Sequence, residues 1–149
     1  MSTTMSTNDA RTQLVIAQYE ALSAATLEAL LDLYADDARF KDPFNDVRGR
    51  RAIRKVFAHM FETLDEPRFR ILEAFTEGDQ AFLSWDFSFK RASGKPPMTI
   101  HGATHLQYAD DGRIALHRDY WDAAEELYAK LPVLGVLMRV LQRRLRAPV

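Results

Sequence analysis

A chain of 149 residues, 47% hydrophobic and 28% charged, suits a single domain with one core. Its formal net charge of −1 supplies no field toward nucleic acid, and the absence of cysteine excludes disulfides, thiolate metal sites and cysteine nucleophiles. No uncharged apolar run approaches the ~18 residues of a membrane span, and residues 1–8 lack the apolar stretch of a secretory signal. The expectation is a cytoplasmic protein with a disordered tail over residues 1–8 and one domain over residues 9–149.

Residues 9–22 carry Leu14, Val15, Ala17, Ala21 and Leu22 near Tyr19, an amphipathic helix capped by Asn8 or Asp9. Thr26 caps a second helix in which Leu27, Leu30, Leu31 and Tyr34 recur at helical spacing. Asp36 and Asp37 break that run. Ala38, Phe40 and Asp42 then share one face of a short strand that Pro43 stops, and residues 45–48 are loop. A third helix over residues 49–64 groups Ile53, Val56, Phe57, Met60 and Phe61 on one side.

From residue 68 the period changes to two. Strands are predicted over residues 68–76, 80–90, 98–108 and 113–122, with turn signals at Glu77-Gly78-Asp79 and Asp110-Asp111-Gly112. The second strand puts Ala81, Leu83, Trp85, Phe87 and Phe89 on one face. The last carries an inconsistency of parity, since the apolar Ile114 and Leu116 share a face with Arg118, while His117, Asp119 and Trp121 share the other. Either both faces are covered or a bulge shifts the register. A helical extension over about residues 123–146 closes the chain, its last helix striped with Leu134, Leu137, Met138, Leu141 and Leu145 beside four arginines. Such a stripe covers a core or a partner subunit more often than a membrane. Helices grouped on one side of an antiparallel sheet make an α+β fold, and a curved sheet leaves a mouth suited to a small apolar ligand.

Two acidic positions could carry chemistry. Asp42 sits before a proline at a strand end, where it is either a base raised by burial or a turn residue bonded to its own backbone. Asp119 has His117 beside it on one strand face and Trp121 to reduce solvation. His101 and His105 lie ~13 Å apart along one strand, too far for one ion, and no spaced ligand set, phosphate-binding glycine motif or nucleophile elbow occurs. Neither metal nor cofactor is expected.

The segments QYEAL (Gln18–Leu22), LYADDARFKDP (Leu33–Pro43), GRRAIRKVF (Gly49–Phe57) and HRDYWD (His117–Asp122) resemble the nuclear transport factor 2-like superfamily, in its SnoaL-like and ketosteroid-isomerase-like branch. The resemblance covers about residues 10–122. It implies a cone, a curved sheet wrapped round helices, dimeric through the sheet. In the isomerases of that branch the base falls on Asp42 and the oxyanion-hole tyrosine on Tyr19. The second oxyanion-hole position falls on Thr104, and Phe57 stands where a supporting tyrosine is expected. In the polyketide cyclases the working acid falls on Asp119, with His117, Trp121, Leu83, Trp85 and Phe87 facing the mouth. The implied function is an isomerase or cyclase acting on a hydrophobic carbonyl compound; the alternatives are a non-catalytic pocket for such a ligand and a dimerisation module. The implied partners are a small hydrophobic ligand and a second copy of the chain, with neither nucleic acid nor membrane.

Overall fold

The computed structural model describes residues 8–91, 94–126 and 132–148. The expected tail lies outside them apart from Asn8. Helix α1 (Ala10–Glu20) starts at Asp9, whose carboxylate accepts the backbone N–H groups of Arg11 and Thr12. Its buried side is Thr12, Val15 and Tyr19, while Leu14 is half exposed. A threonine takes a core position here because its hydroxyl is satisfied inside, 2.6 Å from the Tyr108 hydroxyl and 2.8 Å from that of Thr76.

After a 3-10 turn (Ala24–Thr26), helix α2 is short, Leu27–Leu31, and Tyr34 is already in strand β1 (Tyr34–Lys41). The helical spacing of Tyr34 is overridden because β1 finds a parallel partner, pairing Tyr34 with Ile114 and Phe40 with His117. Residues 46–48, expected as loop, form strand β2 (Asp46–Arg48) against β1, clamped by the Arg39 guanidinium on both Asp46 oxygens at 2.9 and 2.8 Å. Gly49, at φ 93°, turns the chain into helix α3 (Arg50–Thr63), which buries Ile53 and Phe57.

Strands β3 (Asp65–Glu77), β4 (Gln80–Lys90), β5 (Met98–Tyr108) and β6 (Ile114–Tyr120) form the expected meander, and the six strands lie in the order β2-β1-β6-β5-β4-β3. α1 packs on β3 and α3 on β1 and β3, so the helices occupy the concave side of a curved sheet. The parity conflict in β6 resolves as a bulge: Gln107 faces Leu116 and Tyr108 faces Ile114, leaving Ala115 unpaired. Ile114 and His117 are therefore both buried although three residues apart.

Helix α4 (Ala123–Glu126) begins the predicted extension, whose residues 127–130 lie outside those described. Helix α5 (Pro132–Leu145) leaves Leu134, Leu137, Leu141 and Leu145 of its predicted stripe exposed, with Met138 partly buried. No helix among the described residues is long and apolar enough to cross a membrane.

Candidate functional site

The concave side encloses a cavity of about 310 Å³ between α1, α3 and the inner faces of β3–β6. Its lining includes every predicted site residue: Tyr19, Asp42, Phe57, Leu83, Trp85, Phe87, Thr104, His117, Asp119 and Trp121. Phe40, Phe44, Phe69 and Phe89 add further rings. The aromatic wall is built edge on face: Phe69 meets Trp85 at 5.5 Å and 83°, and Phe44 meets Trp121 at 5.5 Å and 73°.

Strand register brings the polar groups together. Thr104 pairs with Asp119 across β5 and β6, and Trp85 pairs with Gly102 across β4 and β5. Gly102 has no side chain, and the Trp85 ring occupies the space where a Cβ would stand. The indole thereby reaches the diagonal neighbour, and Trp85 Nε1 donates to Thr104 Oγ1 at 2.8 Å. An indole N–H can only donate, so Thr104 Oγ1 accepts there and directs its own hydrogen to Asp119 Oδ1, 2.6 Å away.

Asp119 Oδ1 takes a second hydrogen bond from His117 Nε2 at 2.7 Å. The imidazole is 2% exposed and boxed by rings, with Phe40 at 4.6 Å, Tyr19 at 5.7 Å and Tyr34 at 6.0 Å between centroids. The other ring nitrogen, Nδ1, lies 2.8 Å from the Tyr34 hydroxyl; in the neutral Nε2–H tautomer it is an acceptor, and the hydroxyl is placed to donate to it. The Tyr19 hydroxyl lies 2.5 Å from that of Tyr34 and 3.2 Å from Nδ1. Both phenol hydroxyls thus find hydrogen-bond partners inside the cluster. Both of these donors point toward one carboxylate oxygen; among the described residues the other, Oδ2, accepts none, and the side chain keeps some exposure beside the cavity it lines.

This geometry changes two expected roles. Thr104 and Tyr19 line the cavity; the Thr104 hydroxyl donates to Asp119, and the Tyr19 hydroxyl is hydrogen-bonded within the Tyr34–His117 group. Sequence spacing cannot reveal this, because it does not show that Trp85 takes the Thr104 lone pair. Asp42 also has a different setting. Its Oδ1 accepts the backbone N–H groups of Phe44 and Asn45 at 2.8 and 2.7 Å, and the Asn45 side-chain amide lies 3.1 Å from each of its oxygens. That is the turn reading of Asp42. Replacing it with alanine should lower stability by about 1–3 kcal/mol through unpaired loop groups, with proton transfer at Asp119 changed only a few-fold. Chemical denaturation together with the exchange assay below measures both effects.

Burial pushes the Tyr19 hydroxyl well above the ordinary phenol range, with Tyr34 and Asp119 adding to the shift; burial also raises Tyr34 and Tyr108. A phenol raised on folding gives stability that is whole below the unfolded value of ~10 and declines as the pH climbs past it, by about 1.4 kcal/mol per group per pH unit. Tyrosinate absorbance should accordingly show Tyr19, Tyr34 and Tyr108 un-ionised in the native protein above pH ~10, then ionising together with unfolding. Smooth ionisation of all five tyrosines near ~10 without unfolding would contradict it.

Asp86 receives His101 at 3.0 Å on the outer face, and the Arg118 guanidinium lies over the Tyr120 ring at 4.7 Å. Neither is bonded to Asp119. No group of three or more potential ligand side chains is placed to hold a metal ion among the described residues. The residue that sequence reasoning missed is Tyr34. Its only signal was its place in LYADD, where helical spacing argued for a core position on α2.

A family model described as a SnoaL-like domain matches residues 15–117. No match is found among curated proteins. Solved structures with the same fold include a hypothetical protein with a ketosteroid isomerase-like fold from Catenulispora acidiphila DSM 44928, solved in complex with trimethylamine, with a TM-score of 0.71 and 20% identity over 85% of this chain and 96% of that one. Another, described as a SnoaL-like polyketide cyclase, comes from Shewanella putrefaciens CN-32, with a TM-score of 0.65 and 21% identity over 80% and 86% of the two chains. A third is an NTF2-like protein of unknown function from Burkholderia pseudomallei K96243, with a TM-score of 0.68 and 20% identity over 77% and 92%. At these identities the likeness is one of fold.

Proposed function

The chain belongs to the SnoaL-like domain family, and from that premise we propose that it moves a proton on a small hydrophobic carbonyl compound, as an isomerase or cyclase does. The observation that carries the reading is Asp119: two donors hold its Oδ1, and Oδ2 is left accessible beside an aromatic cavity. In this reaction Oδ2 takes a proton from the carbon next to the ligand's carbonyl. The resulting carboxylic acid O–H then returns the proton to another atom of the same ligand. The carboxylate is regenerated and no co-reactant is consumed.

The committed hydroxyls narrow the substrate. With the Thr104 hydrogen on Asp119 and the Tyr19 hydroxyl bonded within its own cluster, a ligand that itself spreads developing negative charge, such as a β-keto ester or an extended enone, suits this site best. His117 and Thr104 contribute by holding the carboxylate; the aromatic rings exclude water and hold the apolar body.

The experiment is deuterium exchange at the α-carbon, followed by NMR in D2O, for a panel of hydrophobic β-keto esters and enones. The wild-type protein should accelerate exchange over buffer. If it binds the same compounds, seen by Trp fluorescence or native mass spectrometry, but never accelerates exchange, the non-catalytic pocket is the correct reading.

A second reading concerns assembly. The outer face of the sheet exposes Phe75 and Phe82 at 54% and 52%, on neighbouring strands β3 and β4, with Tyr120 also half exposed on β6. We propose that a second copy of the chain covers this face. Sedimentation should show a dimer that Phe82→Glu dissociates; a wild-type monomer at all concentrations would refute it.

A further inference from the structure

Tyr34 does not line the cavity and has no exposed surface, yet its hydroxyl is the nearest donor to His117 Nδ1. We propose that Tyr34 is the positioning residue of this site: it holds His117 in the Nε2–H tautomer and, through that ring, holds Asp119 with Oδ2 free for the ligand. The inference rests on Asp119 as the proton acceptor for its functional meaning, and on the hydrogen-bond geometry alone for its structural part.

Three observations favour Tyr34 over Tyr19 in this role. Its oxygen is closer to Nδ1, at 2.8 Å against 3.2 Å. Its ring is stacked on the imidazole at 26°, whereas Tyr19 is tilted by 43°. Its backbone is pinned on both sides of the strand: Arg50 Nε donates to the Tyr34 carbonyl at 2.7 Å, and Tyr34 pairs with Ile114 in the β1–β6 ladder. Tyr19 then completes the chain by donating to the Tyr34 oxygen, so hydrogens run Tyr19 to Tyr34 to His117 to Asp119. The residue outside the cavity governs the carboxylate more than the one on its wall.

An imidazole has two neutral tautomers, and only the Nε2–H form donates to Asp119. Without a donor at Nδ1, the ring loses the bond that selects this form and that fixes its rotation in the aromatic box. Thr104 alone would then hold Oδ1. Partners that orient a metal-ligating imidazole in this way matter by about 10–100-fold, and an effect of that order is expected here.

The test is a long-range 1H–15N NMR spectrum of the full chain carrying 15N-histidine, with the four histidines sorted by substituting His117→Gln. The wild-type spectrum should show His117 with Nε2 protonated and Nδ1 unprotonated and hydrogen-bonded. Tyr34→Phe should move the Nδ1 resonance toward a nitrogen without a hydrogen bond and admit the other tautomer, while Tyr19→Phe leaves the pattern close to wild type. In the exchange assay Tyr34→Phe should lower kcat about 10–100-fold with little change in KM, and Tyr19→Phe should cost less. A protonated Nδ1 in the wild type overturns the proposal without any variant, as does a Tyr19→Phe effect equal to or larger than that of Tyr34→Phe. If the wild type exchanges no carbonyl compound, the catalytic reading falls while the NMR ordering still decides the role of Tyr34.

Discussion

Asp119→Asn should abolish proton exchange on a bound carbonyl ligand, lowering the rate by about 10²–10⁴-fold, the usual contribution of a positioned general base. The substitution is nearly isosteric. An asparagine carbonyl at the Oδ1 position still accepts from Thr104 Oγ1 and His117 Nε2, so the local network persists with neutral rather than charge-assisted bonds. The group at the Oδ2 position becomes an amide that can donate but cannot take a proton. Binding should therefore survive with stability reduced by only about 1 kcal/mol. Exchange rate, Trp fluorescence titration and urea denaturation on the same preparation separate these effects. If Asp119→Asn keeps more than about a tenth of the wild-type rate, the base lies elsewhere.

Gly102→Ala should damage both stability and binding, although it adds one methyl group far along the chain from any acid. A Cβ at this position would lie 2.5 Å from Cη2 and 2.8 Å from Cζ2 of Trp85, and 3.0 Å from the Cβ of Trp121. The backbone of Gly102 is in a region open to any residue, so the cost is one of space alone. Trp85 cannot yield cheaply, being a rigid, 4% exposed ring packed on Phe69 and tied to Thr104. Overpacking of this kind costs about 1–3 kcal/mol. The displaced indole would also release the Thr104 lone pair and intrude into the cavity. Expected results are a lower denaturation midpoint, a shifted Trp85 Nε1–H resonance and at least tenfold weaker ligand binding. Full wild-type stability and affinity in Gly102→Ala would show that the ring is not held as described.

Both expectations depend on register, which explains what could be read in advance. The alternation in β4 and β5 is long and unbroken, so period alone puts Leu83, Trp85 and Phe87 on one shared face, and the family resemblance turns that face inward. HRDYWD puts His117, Asp119 and Trp121 on a shared face in the same way, again directed inward by the resemblance. Local patterns failed where a partner strand supplied what the local sequence did not. Tyr34 has helical spacing, yet it is a strand residue because β6 lies alongside. Residues 46–48 have no strand pattern of their own, yet they pair because β1 offers an edge and Arg39 faces Asp46. Leu14 yields its core place to Thr12 because Tyr108 and Thr76, 96 and 64 residues away, satisfy the threonine hydroxyl.

The amino-acid sequence by itself determined the α+β class, the order of the main elements, the family and the membership of the cavity wall, because hydrophobic period and short motifs are local properties of the chain. Only the tertiary structure shows how each of the two acids is held. Asp42 is engaged by its own turn, and Asp119 is held at one oxygen and open at the other. That difference depends on where each hydrogen points. The direction is set by a donor-only indole on β4, a threonine on β5, an imidazole on β6 and a phenol on β1, four groups that meet only when the sheet is assembled.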